Sequence, residues 1–381
     1  LSKHWSYDVQ IGIPKESLDG EARVAGSPET VKKLVALGHD VVVARDAGKA
    51  SSMLDAAFEQ AGAKLVDQAQ VLAADLVLKV RFPSDDELKA MKKGAVLVGM
   101  LSPFDRTGLE KLAAAGLTAF AMEAAPRTTR AQSLDVLSSQ ANLAGYKAVI
   151  LAAEAYPRIF PMLMTAAGTV KAARVVILGA GVAGLQAIAT AKRLGGVVEA
   201  SDVRPAVKEQ IESLGAKFID VPYETEEERE IAQGAGGYAR PMPEGWMKRQ
   251  AAEVAKRIAQ ADIVISTALI PGRKAPVLIT EDMVASMKPG SVIVDMAVEQ
   301  GGNCPLSVLN QTITTSNGVR IVGQPNLAAL VPTDASALYA RNLLDFLKLV
   351  FTKEGAFQVP MDDDIVAATL VARDGQVTRP A

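Results

Sequence analysis

The sequence has very little cysteine and histidine, two residue types on which much protein chemistry depends. Its 381 residues include one cysteine, Cys304, so neither an internal disulfide nor a cysteine-built metal site can form. This scarcity is typical of a protein from a reducing compartment. The two histidines are His4, close to the first residue, and His39, in a Gly-His-Asp turn. Neither is placed for proton transfer, and with so few histidines no Ser-His-Asp site, Cys-His site or metal-ligand cluster is visible.

Long apolar runs and an excess of one charge are also missing. The most apolar region, residues 148–170, is interrupted by Glu154, Pro157, Arg158 and Pro161, so no segment is suited to span a bilayer. The formal net charge is −2, and 22% of the residues are charged while 49% are hydrophobic. That balance is typical of a soluble globular protein. It gives no reason to expect nucleic acid or an anionic membrane surface as a partner.

The length of the chain exceeds one ordinary core, and two domains are expected. Two series of short apolar strands alternate with amphipathic helical patterns, which predicts an α/β fold with two Rossmann-like domains and mostly parallel sheets. The first series is VQIGI, VVVA, LVLKV, AVLVG and LTAFA, and the second is VVILG, VVEAS, AKFID, DIVIS, SVIVD and VRIVG. We place the first domain at residues 1–135 plus 328–381 and the second at 136–327. A long helix, from about Ser133 to Ala155, is expected to join them across a cleft.

Three segments outside these series also have predicted structures. Residues 333–352 have apolar residues at helical spacing, and this helix is expected to pack on the first domain. The residues after it predict a loosely packed tail. Residues 222–246 contain an acidic cluster, a Gly-Ala-Gly-Gly centre and three prolines, which predicts a long surface loop. With Tyr238 beside the glycines at its tip, this loop is either a mobile lid over a ligand or a flexible connector.

Residues 174–202 have the pattern of a dinucleotide-binding site. After a buried apolar strand, Gly179 permits a tight turn and Gly181 lets backbone N–H groups approach a pyrophosphate. Gly184 lets the following helix pack against the strand, so that the phosphates meet the positive end of the helix. Asp202, at the end of the next strand, suits a ribose 2′-hydroxyl and would repel a 2′-phosphate. A lone GxGxxG match is weak, but this strand context and the following carboxylate favour NAD(H) binding over a flexible glycine turn.

The scarcity of histidine also bears on the type of reaction. A dehydrogenase that oxidises an alcohol or amine removes a proton as well as a hydride, commonly with a His or Lys base. A hydride that passes directly between two nicotinamide rings needs only close placement of the rings. The sequence therefore favours hydride exchange. Lys79, at the end of LVLKV, keeps a lysine base open, and the alternative for this residue is a solvated strand end.

Charged and polar side chains are concentrated where the chain leaves the first domain. They are Glu123, Arg127, Gln132, Asp135 and Ser138. Beside a cleft, such groups could fix a nicotinamide carboxamide. The alternative is helix capping, because the sequence SLDV offers Ser133 as the capping residue. Spacing alone does not decide between the two.

Several motifs together resemble one known family. They are GIPKE (12–16), ARVAGSPE (22–29), MEAAPRTTRAQSLDVLSSQANLAGYKAV (122–149), LGAGVAGLQAIATAKRLG, AGGYA (235–239), TALIPGRKAPVLIT (267–280) and VDMAVEQGGNCPLS (294–307). The set covers residues 9 to about 350 and resembles the NAD(H)-binding component, domain I, of proton-translocating nicotinamide nucleotide transhydrogenase. It is most similar to the type in which this component is a separate, soluble alpha subunit.

The resemblance implies a reaction and a set of partners. Hydride would pass between NAD(H) on this chain and NADP(H) on a partner component, coupled to proton movement through a membrane component. The resemblance further implies a homodimer that lies on the cytoplasmic face of the inner membrane, held there by its partner subunits.

The resemblance also implies roles for individual residues at the nicotinamide end. Gln132 would lie at the hydride-transfer face, Arg127 and Asp135 would hold the loop, and Ser138 would contact the carboxamide. The rest of the nucleotide has its own implied contacts. They are Gly181 and Val182 at the pyrophosphate turn, Asp202, Val203 and Arg204 at the adenosine ribose, Gly237 and Tyr238 in a mobile loop, and Thr267 and Leu269 beside the adenine.

Two other functions are compatible with these patterns. Alanine dehydrogenase shares the fold and the PKE and RVA signatures, but its family pattern has a catalytic histidine after the strand equivalent to AVLVG. This chain reads MLSPF there, with Ser102 at the corresponding position. The other alternative is a nucleotide-sensing protein without turnover, because a Rossmann site alone binds without reacting. In that case the RAQSLD loop would have no chemical role.

Overall fold

A computed structural model describes residues 9–233, 242–270 and 272–379 of the chain. It divides into two compact units, Leu1–Gln140 with Ala328–Ala381, and Ala141–Leu327. Both are α/β units with mostly parallel sheets, as the strand and helix patterns predict. In the described ranges, no helix is long and apolar enough to cross a membrane.

The strands of both units are short and mostly buried. In chain order they are β1 (Gln10–Ile13), β2 (Asp40–Ala44), β3 (Lys64–Val66), β4 (Leu76–Leu78), β5 (Val96–Gly99), β6 (Thr118–Ala121), β7 (Leu163–Thr165), β8 (Gly168–Val170), β9 (Arg174–Leu178), β10 (Val197–Ser201), β11 (Lys217–Phe218), β12 (Ile263–Ser266), β13 (Val292–Asp295), β14 (Thr312–Thr314), β15 (Arg320–Val322), β16 (Leu370–Arg373) and β17 (Gln376–Val377).

The helices cover the faces of the sheets or connect their strands. In chain order they are α1 (Pro28–Ala36), α2 (Asp55–Gln60), α3 (Gln68–Leu72), α4 (Asp85–Ala90), α5 (Arg106–Ala114), α6 (Val136–Ala155), α7 (Val182–Arg193), α8 (Lys208–Ser213), α9 (Glu226–Gln233), α10 (Glu244–Ile258), α11 (Glu281–Ser286), α12 (Pro332–Val350) and α13 (Asp364–Thr369).

The sheet of the first unit has the strand order β17-β16-β6-β5-β4-β1-β2-β3. Strands β1 to β6 pair in parallel, and β16 is antiparallel to β6 and β17. Because helices lie against parallel strands on both faces, these strands are apolar on both sides, and Ile11, Leu97 and Phe120 are fully buried. The helix predicted near residues 333–352 is α12, and Tyr339 and Leu343 place it in this core, which confirms that prediction.

The predicted loose tail is wrong. The segment forms α13, where Ile365 and Val366 are fully buried, and then β16, which extends the first sheet beside β6. Asp363 begins the helix by accepting hydrogen bonds from the backbone N–H groups of Ile365 and Val366. A six-residue helix and a four-residue strand are too short for sequence periodicity to identify.

The sheet of the second unit has the strand order β11-β10-β9-β12-β13-β15-β14. Strand β9 is central, with β10 and β12 paired in parallel on its two sides. Val175, Ile177 and Leu178 of this strand are buried, as the continuous apolar run predicts. The antiparallel strand β14 forms one edge.

The surface loop predicted for residues 222–246 is also partly wrong. Residues 226–233 form α9, and α10 already begins at Glu244. The glutamates in the first turn of α9 stabilise that helix by interacting favourably with its dipole. The start of α10 is held by Trp246, which is 2% exposed in a small apolar cluster with Val221 and Met242. Gly237 and Tyr238 lie outside the described residues, so the lid stays a prediction.

Candidate functional site

A tight glycine turn joins the end of β9 to α7. Gly179 has a φ of +96°, which favours glycine, and a Cβ there would lie 2.6 Å from Thr267 Oγ1. The Thr267 hydroxyl donates to the carbonyl oxygens of Gly179 (3.1 Å) and Leu178 (3.3 Å). The neighbouring strand β12 therefore holds the turn through the residue that follows its last position.

The N-terminus of α7 is open and close to the sheet. Gly181 precedes the first helical residue, and no side chain in the described part of the chain caps it. A Cβ at Gly181 would meet no described atom within 4 Å, whereas a Cβ at Gly184 would lie 1.8 Å from the carbonyl oxygen of Gly179. Free backbone N–H groups and the helix dipole at such a terminus can hold a pyrophosphate. The first glycine leaves space for the ligand, and the second lets the helix approach the strand.

Glycine also brings α6 against the start of α7. A Cβ at Gly145 would lie 2.1 Å from the carbonyl oxygen of Ala183, so only glycine fits at this position of α6. The sequence pattern did not identify Gly145. Its signal, a glycine inside a helical run, is ambiguous without the structure.

Asp202 lies immediately after β10, beside the glycine turn. It is 7% exposed, and its Oδ2 accepts a hydrogen bond of 2.7 Å from the backbone N–H of Ala180. Oδ1 accepts from the backbone N–H of Arg204 (2.8 Å) and from its Nε (2.9 Å), and Nη2 donates to Oδ2 (3.0 Å). This hydrogen bonding with Asp202 raises the pKa of Arg204. The carboxylate therefore fixes both the turn and the loop after β10.

Partly exposed apolar side chains follow the carboxyl ends of β9, β10 and β12. Val182, Val203 and Leu269 are each 40–47% exposed, and ligand sites are commonly lined by apolar side chains. The side chain of Gln250, on α10, donates to the carbonyl oxygen of Asp202 (2.9 Å). Sequence reasoning missed Gln250 because its contact lies 48 residues away along the chain.

The loop that contains Leu269 is held by Asn303. Its Nδ2 donates to the carbonyl oxygens of Ala268 (2.9 Å) and Pro276 (2.8 Å), at the two ends of the loop. Asp295, at the end of β13, accepts from the backbone N–H of Asn303 (3.1 Å) and from the Ser307 hydroxyl (2.7 Å). Sequence reasoning missed this pair. The signal was present, since a carboxylate ending a buried strand also marked Asp202.

The polar segment at the exit of the first unit forms a 3₁₀ helix, Thr129–Leu134, followed by α6. Arg127 and Gln132 are exposed. Asp135 accepts from the backbone N–H (2.9 Å) and the hydroxyl (2.6 Å) of Ser138, so it caps α6. Helix capping is therefore confirmed for Asp135. Ser133 as the cap is wrong, because the 3₁₀ helix extends past it.

Glu123, the first residue of this polar set, binds the turn after β5. It is largely buried, and burial raises its pKa. Its carboxylate accepts from the backbone N–H groups of Leu101 (3.0 Å) and Ser102 (2.8 Å). Glu123 thus fixes the turn after β5.

Lys79 is fully buried, so its interpretation as a solvated strand end is wrong. Its Nζ lies 2.9 Å from Glu87 Oε1 and 3.2 Å from Glu16 Oε2. Desolvation by burial raises the pKa of Glu16 despite the nearby ammonium group. The Tyr339 hydroxyl donates to the carbonyl oxygen of Lys79 (2.7 Å). Two carboxylates therefore surround the lysine that sequence reasoning considered as a base.

Among the described residues, no group of His, Cys, Asp and Glu side chains is arranged to hold a metal ion.

Comparison with known proteins shows the family of the chain. The N-terminal domain of alanine dehydrogenase/PNT matches residues 12–144, and the C-terminal domain matches residues 148–380. The chain belongs to the alanine dehydrogenase/PNT family. The resemblance that the motifs indicate is thereby confirmed.

Relatives of both types within this family are similar to the chain. An NAD(P) transhydrogenase subunit alpha polypeptide of Rhodospirillum rubrum is 53% identical over 382 residues, covering 98% of each chain. The crystal structure of transhydrogenase from Sinorhizobium meliloti has a TM-score of 0.87 and 51% identity, and covers 97% of this chain and 99% of that one. Alanine dehydrogenase 1 of Staphylococcus aureus is 30% identical over 381 residues, covering 97% of this chain and 94% of its own.

Proposed function

We propose that the chain is the NAD(H)-binding component of a proton-translocating transhydrogenase. It would pass hydride from NADH to NADP⁺ held by a separate component, while a membrane component couples the reaction to proton translocation. The observation that carries the NAD(H) assignment is the open N-terminus of α7 beside the buried Asp202. The high identity to transhydrogenase alpha subunits supports the choice of reaction.

The residues of the second unit fit the nucleotide. The space above Gly181 suits a pyrophosphate, and the first backbone N–H groups of α7 would bind it. The Asp202 carboxylate would accept a hydrogen bond from the adenosine ribose, with Val203 and Arg204 beside it. Thr267 and Leu269 would line the adenine side, and Gly237 and Tyr238 would close over the bound nucleotide.

The nicotinamide end is assigned to the polar segment after the first unit's last parallel strand. NADH supplies the hydride. Gln132 would lie at the transfer face, Arg127 and Asp135 would hold the segment, and Ser138 would contact the carboxamide. No proton needs to be removed by this chain, since direct transfer between two nicotinamides depends on placement.

The environment of Lys79 favours this reaction over oxidation of an amino acid. The side chain of Lys79 is fully buried, and its Nζ contacts the carboxylates of Glu16 and Glu87, so it is not presented to a substrate as a base. Ser102 stands where the alanine dehydrogenase pattern has a catalytic histidine. We further propose that the chain acts as a homodimer on the cytoplasmic face of the inner membrane, bound there through its partner subunits.

The test is reconstitution of hydride transfer. The purified chain is mixed with a separately purified NADP(H)-binding component, NADH and a spectroscopically distinct NADP⁺ analogue. We expect reduction of the analogue only when both proteins are present. Formation of NADH from alanine and NAD⁺ by the chain alone would instead establish an alanine dehydrogenase.

The role of Gln132 is tested in the same assay. Gln132→Asn should slow hydride transfer and leave NADH binding unchanged, because the shorter amide no longer reaches the transfer face. Gln60→Asn, an exposed substitution at the end of α2, is the matched control and should transfer hydride at the parent rate. Unaltered turnover of Gln132→Asn would remove this residue from the site.

A further inference from the structure

The backbone around Gln132 is held on its inner side by apolar contacts. Ala131 and Leu134 are each 2% exposed and belong to the core that also contains Tyr339 and Leu343 of α12. Gln132 itself is exposed. The 3₁₀ helix thus exposes Gln132 on its polar side, while Ala131 and Leu134 pack the other side into the first unit.

One polar side chain of α12 ties this segment to the next helix. Asn342 is 7% exposed, and its Nδ2 donates to the carbonyl oxygen of Ser133 (2.8 Å). Its Oδ1 accepts from the hydroxyl of Ser139 (2.7 Å), in the first turn of α6. These bonds need one donor and one acceptor on the same planar group, which an amide provides and a carboxylate does not. Asn342 therefore fixes the carbonyl of the residue next to Gln132 relative to α6.

A second anchor holds the outer side of the same segment. The guanidinium of Arg130 binds both carboxylate oxygens of Asp363, at 2.7 and 2.9 Å, and also contacts Asp364. Asp363 in turn caps α13. Such a two-point pair fixes direction as well as distance. Both anchors come from residues that lie more than 200 positions later in the chain.

We propose that Asn342, assisted by the Arg130–Asp363 pair, is a positioning residue for hydride transfer that sets the backbone carrying Gln132. The inference rests on the proposed function, in which Gln132 lies at the transfer face. Asn342 itself acts only through the segment it holds. Because small misplacement of a reacting group costs up to about a hundredfold in rate, loss of this anchor should slow transfer strongly.

The main experiment compares Asn342→Ala with the parent in the reconstituted hydride-transfer assay. We expect kcat to fall about tenfold to a hundredfold. The KM for NADH and the NADH dissociation constant should change less than about twofold, because the pyrophosphate and ribose are held by the second unit. Without any partner or nucleotide, amide hydrogen exchange should rise in residues 129–135 but not across α12.

Two further variants separate positioning from folding. Asn342→Asp keeps the acceptor for Ser139 but loses the donor to Ser133, and it should show the same split between kcat and KM. If Asn342→Ala fails to fold, Arg130→Gln tests the exposed anchor and should give a smaller fall in kcat with unchanged NADH affinity. The matched control is Asn317→Ala in the second unit, where the lost amide donates to the carbonyl oxygen of Val284. It should transfer hydride at the parent rate.

The possible failures are distinguishable. If the parent transfers no hydride with its partner component, the proposed function fails and this inference fails with it. If the parent is active while Asn342→Ala keeps its turnover and its exchange rates, only the inference is overturned. Equal losses of NADH affinity and turnover in Asn342→Ala would also overturn it, since they would indicate a general structural role.

Discussion

Removing the charge of Asp202 should change which nucleotide the chain prefers. Every described group that contacts this carboxylate is a hydrogen-bond donor, namely the backbone N–H of Ala180 and three N–H groups of Arg204. In Asp202→Asn the shape is kept, but the new amide NH₂ must face one of those donors. The substitution therefore removes the negative charge and weakens the hold on Arg204.

The size of the effect follows from these contacts. A hydrogen bond to a charged group contributes about 1.5–3 kcal/mol, so loss of the bond to the ribose should weaken NADH binding about tenfold to a hundredfold. NADPH should bind more tightly than it does to the parent, because its 2′-phosphate no longer meets a carboxylate and the guanidinium of Arg204 becomes available to it. The ratio of NADPH to NADH affinity should rise at least about tenfold.

Fluorescence titration with each nucleotide measures both affinities. Asp220→Asn is the matched control, because Asp220 is an exposed carboxylate of the same unit that pairs with Lys208 at 2.7 Å. It should leave both affinities unchanged. If Asp202→Asn folds normally by circular dichroism and keeps the parent ratio of affinities, the charge of Asp202 does not set the nucleotide preference.

Other substitutions test packing, burial and charge. Gly184→Ala should destabilise the second unit by about 1–3 kcal/mol in urea unfolding, because its Cβ would overlap a carbonyl oxygen, whereas Gly181→Ala should keep the parent stability and weaken NADH binding. Lys79→Met should cost about 3–5 kcal/mol of unfolding free energy, since it leaves two buried carboxylates without a cation, and a loss near zero would contradict that pairing. Burial lowers the pKa of His39 below 6.5, so its contribution to stability is present above pH 6.5 and is lost as the pH falls. His39→Phe should therefore reduce the loss of stability on acidification from pH 7 to about 5, and an unchanged slope would disprove the assignment.

The parts of the fold that sequence could predict are those set by local pattern. The central parallel strands are continuous apolar runs, and the turn from Gly179 to Gly184 follows from backbone geometry that only glycine allows. The features that the sequence could not predict depend on contacts with residues far away along the chain. Lys79 is paired with Glu16, 63 residues earlier, and nothing near it in sequence distinguishes a buried lysine from a solvated one. Asn342 contacts Ser139 across 203 positions, and a single asparagine in an amphipathic helix carries no signal of that contact.

The first unit is assembled from two stretches of chain, with the whole of Ala141–Leu327 inserted between them. During synthesis the ribosome must therefore complete the inserted unit before α12 and β16 become available. Until then, the six parallel strands beginning with β1 lack the helix that supplies Tyr339 and Leu343 to their core, and β6 has an open edge. The second unit, Ala141–Leu327, is contiguous and can fold as it emerges from the ribosome. The first unit keeps apolar surface exposed until its second stretch has been synthesised. In a newly made chain, the first unit is therefore the region most in need of chaperone protection.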